Sequence, residues 1–211
     1  MGQLKVLVAD DHAILRFGLK RLIAEMPEVQ VIGEADNATT VQDMLREEHW
    51  DLLLLDLDMP GQDPLEMLKR VKPSFPSLAV LILSMFPEEQ FALRAFKCGA
   101  AGYLNKASAP EKLLLALRQL AGGGTYMSAA IAVALINSHA KPLDSSHDVL
   151  SDREFAVLRG IAAGKPNTQI AGQLNLSAKT VSTYRSRLLA KLGFKSNVEL
   201  ARYAAAQHLM K

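Results

Sequence analysis

The sequence predicts a doubly wound α/β domain on a five-stranded parallel sheet, followed by a smaller all-α unit containing a helix-turn-helix. Three observations predict it. Up to residue 121, short apolar runs alternate with amphipathic stretches five times; beyond residue 150 only helical patterning remains. Charge divides along the same line: residues 1–147 carry 14 Lys and Arg against 18 Asp and Glu, a net of −4, whereas residues 148–211 carry 10 against 4, a net of +6. An acidic body joined to a basic end points to a polyanion partner for the end alone.

The expected strands are Leu4–Ala9, Val29–Gly33, Asp51–Leu55, Ala79–Leu83 and Ala101–Leu104. They are rich in Val, Leu and Ile and mostly lack polar alternation, as strands buried on both faces do. Between them His12–Met26, Ala38–Glu47, Pro64–Val71, Glu88–Cys98 and Pro110–Ala121 have helical spacing, with Pro64 and Pro110 suited to first turns. Strand-helix alternation of this kind builds a parallel sheet through right-handed crossovers. Gly122 to Gly124 stop the fifth helix, a further apolar helix is expected over Ser128–Ser138, and Ala140–His147 has linker composition. Domain boundaries follow at 1–122, 123–147 and 148–211.

In the last segment, Ser151-Asp-Arg-Glu154 and Ser196-Asn-Val-Glu199 read as capping boxes, and Asn167 and Ser177 as N-caps. Four helices are expected, near 152–163, 168–174, 178–192 and 197–208. With 49% apolar residues a core can form without disulfides. The lone Cys98 excludes a disulfide within the chain, suits a reducing compartment, and reads as a small buried side chain on its helix. No apolar run approaches the ~20 residues that cross a bilayer, and the opening residues do not form a secretory signal. A soluble cytoplasmic protein without a membrane partner is expected. No Gly-rich phosphate loop or aromatic-studded sheet supports a P-loop or RNA-recognition reading.

Ligands of open α/β sheets bind beyond the carboxyl ends of the strands, where strand order reverses. The polar residues at those ends are Asp10 and Asp11 after the first strand, Asp56 after the third, Ser84 after the fourth, and Asn105-Lys106 after the fifth. Three carboxylates converging on one rim need a cation, and hard oxygen donors suit Mg²⁺. A carboxylate beside Mg²⁺ and a lysine is equipped to attack phosphorus and form an acyl phosphate. Taken singly, each residue reads more simply: Asp11 as the N-cap of the next helix, Lys106 as a solvated surface group, Tyr103 as core.

Together, Val8-Ala-Asp-Asp-His12, Leu55-Asp-Leu-Asp-Met-Pro-Gly61, Leu83-Ser-Met85 and Gly102-Tyr-Leu-Asn-Lys106 closely resemble the receiver domain of two-component response regulators, over roughly residues 3–121. The resemblance implies a flavodoxin-like fold and makes Asp56 the phospho-acceptor. It implies Mg²⁺ held by Asp10, Asp11, Asp56 and the backbone carbonyl of Asp58. Ser84 takes the hydroxyl position, Lys106 the lysine, and Tyr103 the aromatic switch. Asp56-Leu-Asp58 also resembles the nucleophile loop of haloacid-dehalogenase-like phosphatases. That loop follows the first strand and carries a Thr where this chain has Pro60, which counts against a turnover enzyme.

Over Leu176–Gly193, Val181, Tyr184, Leu188 and Leu192 fall near one helical stripe, which should face the core. Ser182, Thr183, Ser186 and Arg187 lie away from it, with Lys179 and Thr180 in the first turn. A helix apolar behind and polar or basic in front can enter a major groove. Leu150-Ser-Asp-Arg-Glu154, Asn167, Ile170-Ala171, Lys179-Thr-Val181 and Lys191-Leu-Gly193 resemble the LuxR-type helix-turn-helix of NarL/FixJ response regulators, over about residues 148–209. By that resemblance Ser182, Thr183 and Ser186 face base edges, while Lys179, Thr180, Arg187 and Lys191 contact phosphates. The last helix, with Val198, Ala201, Ala204, Ala205 and His208, supplies a dimer contact. The implied function is a transcriptional regulator whose Asp56 is phosphorylated by a sensor histidine kinase, switching homodimerisation and binding to double-stranded DNA.

Overall fold

The structure, a computed structural model, describes residues 4–59, 62–85, 88–138, 150–174 and 176–206. The chain divides into two compact units, Met1–Lys141 and Pro142–Lys211.

The first unit alternates β1 (Leu4–Ala9), α1 (Ala13–Ile23), β2 (Val29–Ala35), α2 (Ala38–Glu47), β3 (Leu52–Asp56), α3 (Pro64–Val71), β4 (Ala79–Ser84), α4 (Glu88–Lys97), β5 (Gly102–Asn105) and α5 (Pro110–Ala121). The sheet is parallel throughout, in the order β2-β1-β3-β4-β5. The chain therefore steps outward from β1 to β2, then reverses across β1 to lay down β3, β4 and β5. The carboxyl ends of β1 and β3 lie side by side at the point of reversal, where the crevice of such a sheet forms.

Burial on both faces explains the unbroken apolar runs. Val6, Val8, Leu54 and Leu81 share one core with Ile23 of α1 and Leu117 of α5. The alternate positions Leu7, Leu53, Leu55 and Ile82 are equally buried on the opposite face. β2, β3, β4 and β5 each run a residue or two beyond the expected apolar ends, so Asp56, Ser84 and Asn105 are the last residues of their strands. Ladder pairing with a neighbouring strand carries the backbone on after the apolar pattern stops.

At the start of α1 the expectation for Asp11 is corrected. His12 occupies the cap position without a side-chain cap. Its N–H donates instead to Asp10 Oδ1 at 2.8 Å, which turns Asp11 outward. Cys98, expected to be buried, is half-exposed and outside any disulfide, just past α4.

After α5 the chain turns back along the outer edge of β5. Tyr126 N–H donates to Ala101 O at 2.9 Å, and Tyr103 N–H to Tyr126 O at 3.3 Å. Glycine at 102 permits this approach, since a Cβ there would lie 2.8 Å from Leu81 Cδ1 and 3.3 Å from Tyr126 Cβ. Helix α6 (Ala129–Ser138) then packs on α4, with Ser128 N–H donating to Glu88 Oε1 at 3.1 Å. The expected linker at 140–147 lies outside the described residues.

The second unit comprises α7 (Asp152–Ala162), α8 (Asn167–Gln173), α9 (Ala178–Leu192) and α10 (Asn197–Ala206), around a core that includes Val157, Leu158, Ile170, Val181, Leu188 and Leu200. Ser151 and Glu154 form the expected capping box, as do Ser196 and Glu199, and Ser177 caps α9. Gly193, at φ 70°, ends α9 in the left-handed conformation that glycine adopts without a Cβ clash. Asn167 is not the cap of α8. Pro166 holds that position with extended backbone (φ −68°, ψ 154°), and Asn167 is the first helical residue. His208 and the expected end of the last helix lie outside the described residues.

Candidate acidic site and nucleic-acid interface

Strand register assembles the acidic site. Ala9 pairs with Leu55, which sets Asp10 and Asp56 as neighbours at the rim, and Asp56 pairs with Leu83, one residue before Ser84. Ser84 pairs with Asn105, and Lys106 N–H donates to Ser84 O at 2.9 Å. Five residues separated by up to 96 positions thus share one edge because four parallel strands end together.

The side chains converge as the topology requires. Lys106 Nζ lies 2.7 Å from Asp10 Oδ2 and 2.8 Å from Asp56 Oδ2, with its side chain only 8% exposed. Asp10, Asp56 and Ser84 are buried, and Asp11 is exposed beside them. Ligand atoms of Asp10, Asp11, His12 and Asp56 all lie within 4.8 Å of one another. Asp58, two residues past β3, is half-buried.

Burial pushes the Asp56 carboxyl up from 3.8 to about 6; Lys106 pulls it down, while Asp10 and Asp58 add to the rise. For Lys106, burial works against the ammonium, but Asp56 and Asp10 outweigh it and hold its pKa above the ordinary value. Asp56 Oδ1 is buried and has no hydrogen-bond partner among the described residues. A buried carboxylate oxygen left bare, beside two further carboxylates and one ammonium, is a donor set that fits a hard divalent cation.

Tyr103 is 2% exposed and points to the sheet face opposite Leu104. Its burial fits the core reading and leaves the switch reading open. The sequence did not single out His12, whose Nδ1 is 2.6 Å from Asp11 Oδ1, nor Arg16, which donates to the Asp10 carbonyl.

In the second unit Lys179, Ser182, Thr183, Ser186 and Arg187 form an exposed strip on α9, while Val181 and Leu188 face the core. The hydroxyls of Ser182, Thr183 and Ser186 donate to carbonyls one turn back, at 3.0, 3.1 and 3.1 Å. Ser182 Oγ also accepts from Asn167 Nδ2 at 3.1 Å, which links α8 to α9. The Arg187 guanidinium lies 5.8 Å from the centre of the Tyr184 ring. Thr180 is half-buried, its hydroxyl 2.8 Å from Ser177 Oγ.

Two placements bear on the expectations for this unit. Lys191 Nζ is 2.6 Å from Glu154 Oε2, a buried carboxylate in the first turn of α7, so its charge already has a partner within the domain. On α10, Val198 and Ala205 are exposed and Ala201 half-buried, but Ala204 is fully buried and belongs to the core.

Comparison with known proteins agrees with this geometry. The family described as "Response regulator receiver domain" matches residues 6–118, and "Bacterial regulatory proteins, luxR family" matches residues 148–204. The chain is 35% identical over 217 residues to oxygen regulatory protein NreC of Staphylococcus epidermidis, covering 99% of this chain and 100% of the relative. It is 38% identical over 200 residues to response regulator GacA of Pseudomonas aeruginosa, covering 94% of each. Among solved structures it is similar to the RcsB response regulator of Salmonella typhimurium (TM-score 0.59, 30% identity, 98% of this chain and 100% of that one). It is also similar to RcsB in a complex with DNA (TM-score 0.59, 29% identity, 97% and 98%). With a receiver fold carrying an acidic rim and a LuxR-type helical domain in one polypeptide, the chain belongs to the NarL/FixJ-type response regulators of two-component systems, a family of DNA-binding transcription regulators rather than turnover enzymes.

Proposed function

We propose that Asp56 accepts a phosphoryl group from a sensor histidine kinase and that this switches dimerisation and DNA binding by the C-terminal unit. The observation that carries this reading is the buried Asp56 carboxylate, bare at Oδ1 and faced by Lys106, Asp10 and Asp11.

The residues that would hold Mg²⁺ are Asp10, Asp11, Asp56 and the Asp58 carbonyl. When bound, the ion offsets the negative charge of the transferring phosphoryl oxygens. Asp56 supplies the attacking oxygen: an O–P bond forms, the bond from phosphorus to the donor breaks, and the donor's imidazole leaves. Lys106, already against Asp56, pairs with a phosphoryl oxygen, and the Ser84 hydroxyl donates to another. Water hydrolyses the acyl phosphate slowly, which resets the switch. Tyr103 repacks as Ser84 and Lys106 are drawn inward, and the face of α4, β5 and α5 changes with it. Taking such a switch from mostly off to mostly on requires roughly 5.5 kcal/mol of differential stabilisation.

The exposed strip of α9 supplies the DNA contacts: Ser182, Thr183 and Ser186 toward bases, and Lys179, Thr180 and Arg187 toward phosphates. Solved structures of RcsB include two dimers bound to two parallel DNAs. For this chain a dimer through Val198, Ala201 and Ala205 on two half-sites fits the exposure of α10. No helix among the described residues is long and apolar enough to cross a membrane, in keeping with a cytoplasmic setting.

Incubation with Mg²⁺ and acetyl phosphate tests the receiver. The expected result is a mass gain of about 80 Da, one phosphoryl group, that is absent in Asp56→Asn. An unmodified wild-type protein would overturn the reading. For DNA, the logarithm of affinity should fall linearly with that of salt, and Arg187→Ala should make the slope shallower by about one phosphate contact. A wild-type affinity indifferent to salt would remove the DNA interface from α9.

A further inference from the structure

Arg16 lies on α1 outside the acidic rim, yet its side chain is only 16% exposed. Its Nη1 donates to the backbone carbonyl of Asp10 at 2.6 Å, and its Nε to Glu34 Oε2 at 3.3 Å. Glu34 sits near the carboxyl end of β2, opposite Val8 of β1, and is also paired with Lys20 of α1. On its other side the same stretch of chain is held by Asp10 N–H, which donates to Ala35 O at 3.1 Å. The peptides on both sides of Asp10 are therefore fixed, the N–H by a ladder bond and the carbonyl by a guanidinium that is itself anchored. The Asp10–Asp11 peptide plane sets the direction in which Asp11 leaves the backbone.

Resting on the reading of the acidic rim as a cation site, we propose that Arg16 is a positioning residue for that site. By locking the Asp10–Asp11 peptide, it aims both carboxylates at the point that Asp56 faces. It touches no reacting atom. Without it the Asp10–Asp11 peptide loses its guanidinium anchor and keeps the His12 N–H bond to Asp10 Oδ1, so cation binding must complete its ordering.

The proposal makes a prediction opposite in sign to simple electrostatics. Removing a positive charge near three carboxylates should tighten binding of a divalent cation. Removing a group that orients the ligands should weaken it, by about tenfold or more, as loss of outer-shell partners does. Calorimetric titration of the full chain with MgCl₂ decides between them. Arg16→Ala should raise the Kd for Mg²⁺ by about tenfold. Arg16→Lys, which reaches the Asp10 carbonyl but cannot fork to Glu34, should lie between it and wild type. Glu34→Gln, which loosens the anchor and spares the guanidinium, should weaken binding less than Arg16→Ala. At saturating Mg²⁺ the rate of acetyl phosphate labelling should return to within about twofold of wild type, because the reacting groups are intact. An unchanged or lower Kd in Arg16→Ala overturns the proposal, as does a labelling rate that saturating Mg²⁺ does not restore. Absence of Mg²⁺ binding by the wild-type chain would instead overturn the reading of the rim itself.

Discussion

Asp56 is held where an ionised carboxylate is hardest to keep: 1% exposed, with Asp10 and Asp58 adding negative charge and Lys106 only partly offsetting it. Its folded pKa of about 6 lies above the ordinary 3.8. The protonated form therefore favours the fold below pH 3.8. That contribution is lost as pH rises to about 6, and above 6 the buried charge opposes folding in the cation-free protein. The penalty at pH 7 is on the order of 3 kcal/mol. Asp56→Asn should accordingly raise the thermal midpoint of the cation-free protein at pH 7, with the gain shrinking toward pH 4; calorimetry at the two pH values checks this. Mg²⁺ should remove most of the difference. At this scale the rim residues were legible because Asp10, Asp56 and Ser84 each follow directly on an apolar run, with Asp11 and Lys106 one residue further on. Arg16 was not, because its partner is a backbone carbonyl, which no side-chain pattern marks. Lys191 was given a phosphate contact by resemblance; its tie to Glu154, 37 residues away, was not visible in the sequence.

Among the elements, the tie between α9 and α7 is the most exposed to test. Glu154 closes the capping box of α7 through Ser151 N–H and also receives Lys191. Lys191→Ala leaves a buried carboxylate with one partner fewer and should lower stability by roughly 1–3 kcal/mol. The salt slope of DNA binding should hardly change, unlike in Arg187→Ala. Denaturant melts and binding titrations on the same two variants separate the roles. The strands and most helices were legible from periodicity to within a few residues, since both faces of the sheet are buried. Helix starts were less so. At α1 and α8 the residue that looked like a cap was displaced by one position, by the Asp10–His12 turn in one case and by the extended backbone of Pro166 in the other.

For the whole molecule, parallel topology does what the local sequence cannot: it makes the reversal between β1 and β3 a place where carboxylates meet. Since protonated Asp56 can neither ligate nor attack, Mg²⁺ affinity should fall as pH is lowered through about 6. Titrations at pH 5.5 and 7.5 should differ several-fold, with less pH dependence in Asp56→Asn.

The return of Tyr126 along β5 bears on where the first unit can be cut. Shortened to Gly122, the chain would retain β1–β5 and α1–α5 but would lose α6 and strip hydrogen-bond partners from Ala101 O and Tyr103 N–H. A bare flank of that kind recruits strands from other molecules. Fragment 1–122 should self-associate at concentrations where fragment 1–138, which keeps its own selvedge, stays monomeric in light scattering.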